Sequence, residues 1–162
     1  MLTEVTITTS SADETRAVGV RLAPALRAGD VVLLHGPLGA GKTVVVRGLV
    51  HGLDPAAAAL VSSQSYVVAG EYPTRPRVVH LDLYRLRRVD EVLALGYEEL
   101  LYGEGKLAVV EWPDLIEPLL ESDDPVLRVR LEPGDTPDSR VIRLATDVPR
   151  IADAARRAAS DE

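Results

Sequence analysis

Along residues 3–9, Thr3, Val5 and Ile7 alternate with Glu4, Thr6 and Thr8, the period of two that marks a half-exposed edge strand. The period then changes. Ser11-Ala12-Asp13-Glu14 reads as a capping box with Ser11 as N-cap and Glu14 at N3, and Val18, Leu22 and Leu26 recur on one face of the helix that follows. Pro24 is expected to kink this helix and Gly29 to end it. Val31-Val32-Leu33-Leu34 is a continuous apolar run, suited to a strand buried on both faces of a parallel sheet. Residues 42–53 read as a helix, which Asp54-Pro55 breaks.

A long connection leads to Ser62-Ser63-Gln64-Ser65, polar enough to be exposed. Residues 66–72 and 78–84 read as strands separated by a turn containing Pro73 and Pro76. Residues 90–101 form a short helical region interrupted by Gly96, and Leu107-Ala108-Val109-Val110 is another buried strand. Pro113 suits the first turn of a helix over 115–120. Residues 126–131 and 140–145 read as a hairpin around Pro133-Gly134-Asp135-Thr136-Pro137-Asp138. The Ala-rich end, 150–162, predicts a helical or disordered tail beyond a domain of residues 1–149. No internal repeat is present. Strand and helix alternate in the middle, with hairpin-like material at both ends, which predicts an α/β fold with a parallel central sheet flanked by antiparallel strands and helices.

The connection between the strand at 31–34 and the helix at 42–53 is Gly36-Pro37-Leu38-Gly39-Ala40-Gly41-Lys42-Thr43, a complete G-x-x-x-x-G-K-T phosphate-binding loop. The glycines allow a tight turn whose N–H groups point at phosphate oxygens. Lys42 supplies charge for the β and γ phosphates, and Thr43 offers a hydroxyl to Mg²⁺. Strand, loop and helix together predict a P-loop NTPase fold, with the helix dipole favouring an anion at Lys42. Gly36, Leu38, Gly39, Ala40, Gly41, Lys42, Thr43 and Val44 are the expected nucleotide contacts.

Hydrolysis needs a carboxylate to support the metal and a group to orient the nucleophile. Two apolar runs end in acids, at Asp82 and Glu111, where ligands gather beyond the carboxyl ends of parallel strands. Glu111 is the expected metal partner of Thr43. Asp82 is expected to orient or deprotonate the attacking water, or to help position the metal. Trp112 follows Glu111 and is expected near bound nucleotide, with packing under the sheet edge as the alternative. Ser62, Ser63 and Ser65 offer hydroxyls that a loop can carry to the metal, or they are a polar linker. His35 and His51 are expected to be structural. His80 shares a strand face with Asp82 and is expected to brace it or to be a satisfied histidine without a catalytic part. Arg85, Arg87 and Arg88 form a local basic cluster, either a solvated face or a partner contact.

The length of 162 residues is that of one domain. A formal charge of -7 weighs against this chain holding a nucleic-acid backbone alone, so any RNA role is expected to run through a partner. Cysteine is absent, which excludes disulfides, thiolate metal sites and cysteine nucleophiles. Met1-Leu2-Thr3-Glu4 has neither the basic start nor the apolar core of a signal peptide, and no apolar run approaches the roughly 18 residues of a membrane span. A cytoplasmic protein without membrane contact is therefore expected.

Four features in order, the phosphate loop, Glu71-Tyr72, His80-Leu81-Asp82-Leu83-Tyr84-Arg85-Leu86 and Glu111-Trp112-Pro113, resemble the bacterial tRNA threonylcarbamoyladenosine biosynthesis ATPase family, TsaE or YjeE, from Thr3 to Ala145. The resemblance implies ATP and Mg²⁺ as cofactors and the TsaD and TsaB proteins as partners. It also implies ATP hydrolysis that cycles this assembly during modification of the adenosine beside the anticodon, tRNA being met through the complex. Thr43 and Glu111 match metal-supporting positions of the family, and Asp82 an acid required for function. Where the family has Ser-Pro-Thr-Phe, this chain has Ser63-Gln64-Ser65-Tyr66, without the restraining proline. No arginine finger is evident, so an ATPase slow alone and stimulated by partners is expected. A small-molecule kinase is one alternative, although residues 115–126 carry Glu117, Glu121, Asp123 and Asp124 where a lid would need arginines. A nucleotide-dependent interaction module with negligible hydrolysis is the other. A guanine-reading Asn-Lys-x-Asp segment is absent.

Overall fold

The computed structural model describes residues 1–61 and 69–160, which build a seven-stranded sheet. Its strands are β1 (Thr3–Thr9), β2 (Val31–His35), β3 (Ala69–Tyr72), β4 (Arg77–Asp82), β5 (Lys106–Glu111), β6 (Val126–Pro133) and β7 (Arg140–Thr146), in the spatial order β1-β7-β6-β2-β5-β4-β3. Neighbours β6, β2, β5 and β4 run parallel. β7 and β1 extend this centre antiparallel on one side and β3 on the other. The expected α/β class and sheet arrangement are present, with β1 at an edge.

Five helices accompany the sheet among the described residues: α1 (Ala12–Leu22), α2 (Lys42–Leu53), α3 (Val89–Ala94), α4 (Tyr97–Tyr102) and α5 (Pro149–Ser160). Side chains of β2 divide between two cores, as the continuous apolar run requires. Val32 and Leu34 pack with Val18, Val45, Leu49 and Ile151 of α1, α2 and α5. Val31 and Leu33 pack with Val92, Leu101 and Ile116 on the opposite face. No helix among the described residues is long and apolar enough to cross a membrane.

Several expected elements take a different form. At the start of α1 the Ser11 hydroxyl accepts from the Glu14 amide, while the Glu14 carboxylate accepts from the Ser10 N–H, one residue before the N-cap. Pro24 does not kink a longer helix: α1 stops at Leu22, and Ala23–Ala25 is a single 3-10 turn. Strand β4 ends at Asp82 because the Tyr84 amide donates to Asp82 Oδ1 at 3.1 Å and turns the chain away. The helix expected over 115–120 is replaced by the 3-10 turns Pro113–Leu115 and Glu117–Leu119, since Pro118 lacks the N–H and disfavours helical geometry at the residue before it. Residues 66–68 of the expected third strand lie outside the described residues.

The Ala-rich end, expected as a helical or disordered tail, forms the helix α5, which packs onto the sheet and α1. Ile151, Ala152, Ala154, Ala155 and Ala158 of α5 are buried, and Arg150 pairs with buried Asp30 and donates to the Ala25 carbonyl at 2.6 Å. An alanine-rich face is narrow enough to lie close on α1, β1 and β7.

Helix α2, which carries Lys42 and Thr43, is held from behind by α1 at glycines. A Cβ on Gly48 would lie 2.1 Å from the Arg16 carbonyl oxygen, a backbone atom without freedom to give way. Gly48→Ala is expected to cost about 1–3 kcal/mol through forced separation of α1 and α2. A thermal melt reads this as a Tm lower by about 2–4 °C per kcal/mol. An unchanged Tm would refute close helix contact at this point.

Candidate functional site

From His35 the chain turns through residues 36–41 into α2, whose N-cap, Gly41, has φ 104°, a left-handed backbone that a side chain would strain. Lys42 folds back over this turn. Its Nζ donates to the Gly36 carbonyl at 2.5 Å and the Pro37 carbonyl at 3.0 Å, and lies 3.9 Å from the centre of the Trp112 ring. Burial lowers the Lys42 pKa, against the charges of Glu111 and Asp82, which raise it. Arg140 grips the loop from β7, donating from Nε to the Ala40 carbonyl at 2.8 Å and from Nη2 to the Gly39 carbonyl at 3.2 Å. Two cations therefore hold the loop by four of its carbonyls.

Beneath the loop runs a chain of hydrogen bonds from α2 to β3. The Thr43 hydroxyl donates to Glu111, 3.0 Å from Oε1 and 3.2 Å from Oε2. His80 Nε2 lies 2.6 Å from Glu111 Oε2, and the Tyr72 hydroxyl 2.8 Å from His80 Nδ1. A neutral imidazole protonated on Nε2 satisfies every group: the phenol donates to Nδ1 and Nε2–H donates to the carboxylate. Glu111, His80 and Tyr72 are 3, 5 and 6% exposed, so these bonds are not shared with solvent. Burial, and then the Glu111 charge, raise the Tyr72 pKa. His80 thus partners Glu111 and not Asp82. Glu111 is the diagonal neighbour of His80 on the adjacent strand β5.

Asp82 and Glu111 stand opposite each other at the ends of β4 and β5. Burial raises the Asp82 pKa and the Glu111 charge adds to it, against the opposing hydrogen bond from the Tyr84 amide. Trp112, at φ 56°, leaves β5 toward the loop and meets the Tyr84 ring at 4.9 Å between centres. Together these groups bound a cleft of about 450 Å³. Leu38, Gly39, Ala40, Gly41, Lys42, Thr43, Val44, Asp82, Tyr84, Glu111 and Trp112 line it. Of the expected site residues only Gly36 is outside that lining, and it is tied to it through Lys42. Leu38 is 73% exposed at the loop tip, whereas the Ala40 methyl is buried.

The remaining candidates lie elsewhere. His35 bonds Glu117 and His51 bonds Arg16. Arg85, Arg87 and Arg88 do not line the cleft, and Arg88 pairs with Asp90. Ser62, Ser63 and Ser65 lie outside the described residues. Sequence reasoning missed Arg140 and Tyr84 and gave Tyr72 no role. For Arg140 the one available signal was its place at the start of the last strand.

A phosphate-loop sequence between the central parallel strand and α2, with acids at the adjacent strand ends, defines a P-loop NTPase fold. The family model described as "Threonylcarbamoyl adenosine biosynthesis protein TsaE" matches residues 9–142. Two relatives named tRNA threonylcarbamoyladenosine biosynthesis protein TsaE are similar over most of the chain. That of Streptomyces coelicolor is 42% identical over 76% of this chain and 83% of its own. That of Rickettsia conorii is 34% identical over 86% and 77%. The crystal structure of Bacillus subtilis YdiB matches 99% of this chain and 97% of its own, with a TM-score of 0.74 at 27% identity. The chain belongs to the TsaE family, as its motifs implied.

The raised pKa of Asp82 sets a pH dependence. The folded state holds this proton to higher pH than the unfolded chain does, so stability falls as pH rises through that window, and the cost is complete above the folded pKa. Asp82→Asn keeps an acceptor for the Tyr84 amide and removes the charge. It is expected to raise Tm at neutral pH, a gain that disappears at pH values below the ordinary carboxylate range, where Asp82 is protonated in both states. A Tm gain of the same size at every pH would refute the assignment.

Proposed function

We propose that this chain is a Mg²⁺-dependent ATPase required for tRNA threonylcarbamoyladenosine modification, whose hydrolysis of ATP drives cycling of a TsaD and TsaB assembly. One observation carries the reading: the hydrogen bond from Thr43, on the first turn of α2, to Glu111 at the end of β5, inside the cleft that the phosphate loop borders. The names of the relatives supply the pathway.

The donor set fits magnesium. Thr43 and Glu111 present hard oxygens, and among the described residues no three His, Cys, Asp or Glu side chains gather to hold a metal by themselves. Mg²⁺ is characteristically held by one or two carboxylates, with water and substrate phosphate completing its shell. When bound there, it supplies charge neutralisation to the phosphate oxygens.

The protein's own groups do the rest. Lys42 exchanges the Gly36 and Pro37 carbonyls for phosphate oxygens, and Trp112, under its ammonium, senses the exchange. Asp82 faces the same cleft with a pKa raised by burial, which suits a group that orients water and takes its proton. Arg140, the loop's own arginine, is engaged by four carbonyls, so beyond Lys42 and the metal an arginine for the transition state is left to partners. Completion in trans raises rates by about 10³–10⁵ in other phosphate-loop enzymes.

Calorimetry should find ATP binding nearly abolished in Lys42→Ala, and wild-type affinity in that variant would overturn the assignment of the loop. Asp82→Asn should bind ATP yet lose about 10²–10⁴ in turnover, measured as phosphate release with and without TsaD and TsaB. A rate high in isolation and indifferent to the pair would remove the cycling role.

Trp112 emission should change on adding ATP and Mg²⁺, and Lys42→Ala should abolish the change. A constant spectrum at saturating nucleotide would place Trp112 among residues that only pack.

A further inference from the structure

We propose that Tyr72 and His80 are positioning residues, which set the Glu111 carboxylate for a divalent cation at Thr43. The proposal rests on the reading of the cleft as a magnesium-nucleotide site. Glu111 has a flexible side chain, and at 3% exposure it has no solvent shell to orient it. What orients it is protein. His80 Nε2 takes Oε2 at 2.6 Å, the shorter contact, and this leaves Oε1 as the oxygen closest to the Thr43 hydroxyl, at 3.0 Å. Without His80 the carboxylate is free to rotate about its last torsion, and the oxygen facing Thr43 is no longer fixed.

Tyr72 acts one bond further out. Its hydroxyl, 2.8 Å from Nδ1, has the carboxylate's histidine as its partner, and a phenol that donates there requires the ring proton on Nε2, facing Glu111. The ring's position is fixed as well as its tautomer, since the Tyr72 and His80 rings pack at 5.8 Å between centres. Tyr72 on β3, His80 on β4 and Glu111 on β5 thereby pass the alignment of three neighbouring strands to the first turn of α2. Partners that orient a metal-binding side chain typically change metal affinity by about 10–100-fold.

The test separates positioning from packing by its dependence on metal. A non-hydrolysable ATP analogue is titrated calorimetrically into the wild type, Tyr72→Phe, His80→Ala and His80→Gln, once with Mg²⁺ and once with chelator, and each variant is melted. The gain in affinity that Mg²⁺ confers on the wild type should shrink about 10–100-fold in His80→Ala, and in the same direction in Tyr72→Phe. Affinity in chelator should hold. His80→Gln places an amide N–H where Nε2 donates and should restore most of the gain. Equal losses with and without Mg²⁺ would make both residues merely structural and overturn the proposal, as would an intact gain in Tyr72→Phe and His80→Ala. Should His80→Ala fail to fold, Tyr72→Phe, which deletes a single oxygen, decides. A wild type that binds the analogue without any Mg²⁺ gain would overturn the proposal together with the metal assignment, whereas a wild type that binds no analogue would overturn the nucleotide reading itself.

Discussion

A carboxylate buried to 3% exposure beneath a helix start is the constraint around which this fold closes. Removing such a group from water costs several kcal/mol unless donors replace the lost hydration. For Glu111 those donors come from three directions. Thr43 comes from α2, His80 from β4 and, through His80, Tyr72 from β3. Each donor must arrive at its position for the others to be satisfied, so the group that looks most costly to fold also specifies the register of β3, β4 and β5. Among the described residues no buried side-chain nitrogen or oxygen lacks a partner. The polar core is complete, and the removal of one member would strand the next.

Such a network demands a rigid frame, and both faces of the sheet supply it. The central strand β2 is buried on both sides, so that its carboxyl end, where the phosphate loop begins, cannot shift without disturbing two cores. Behind α2, glycine contacts bring α1 within backbone distance, and the pair of Asp30 with Arg150 ties α5 into the same layer. Arg140 fixes the loop from β7. The loop is therefore defined by elements on both sides of it as well as by its own sequence.

What could be read from the sequence follows from the range of the interactions concerned. Alternation at Thr3, Val5 and Ile7, the continuous run at Val31 and the glycine-lysine motif are local, and from them the sheet, its parallel centre and the loop could be read. Local conflicts were harder. Pro118 overrides an otherwise helical stretch, and a side-chain turn at Asp82 ends β4 two residues early. Contacts over long distance had at most a weak local mark. Arg140 lies a hundred residues from Ala40, and His80 chose a carboxylate on the next strand over the acid two positions along its own. The docking of the terminal helix was not readable because alanines, weak as a hydrophobic signal, suffice to bury a helix when the neighbouring surface lets it approach closely.

The two acids show how neighbouring positions on one sheet acquire different capacities. Asp82 and Glu111 are in register on adjacent parallel strands, yet Glu111 is enclosed and has side-chain donors on both oxygens, whereas Asp82 is half-buried, faces the cleft and carries one backbone donor. A carboxylate held by fixed donors presents its oxygens in one orientation, which a metal requires. One whose charge is disfavoured by burial, and further by the first acid, is suited to gaining a proton. In the proposed ATPase the burial of Asp82 itself is therefore what favours proton uptake there, and the two acids divide the work by how far the fold encloses each and by which donors it gives them.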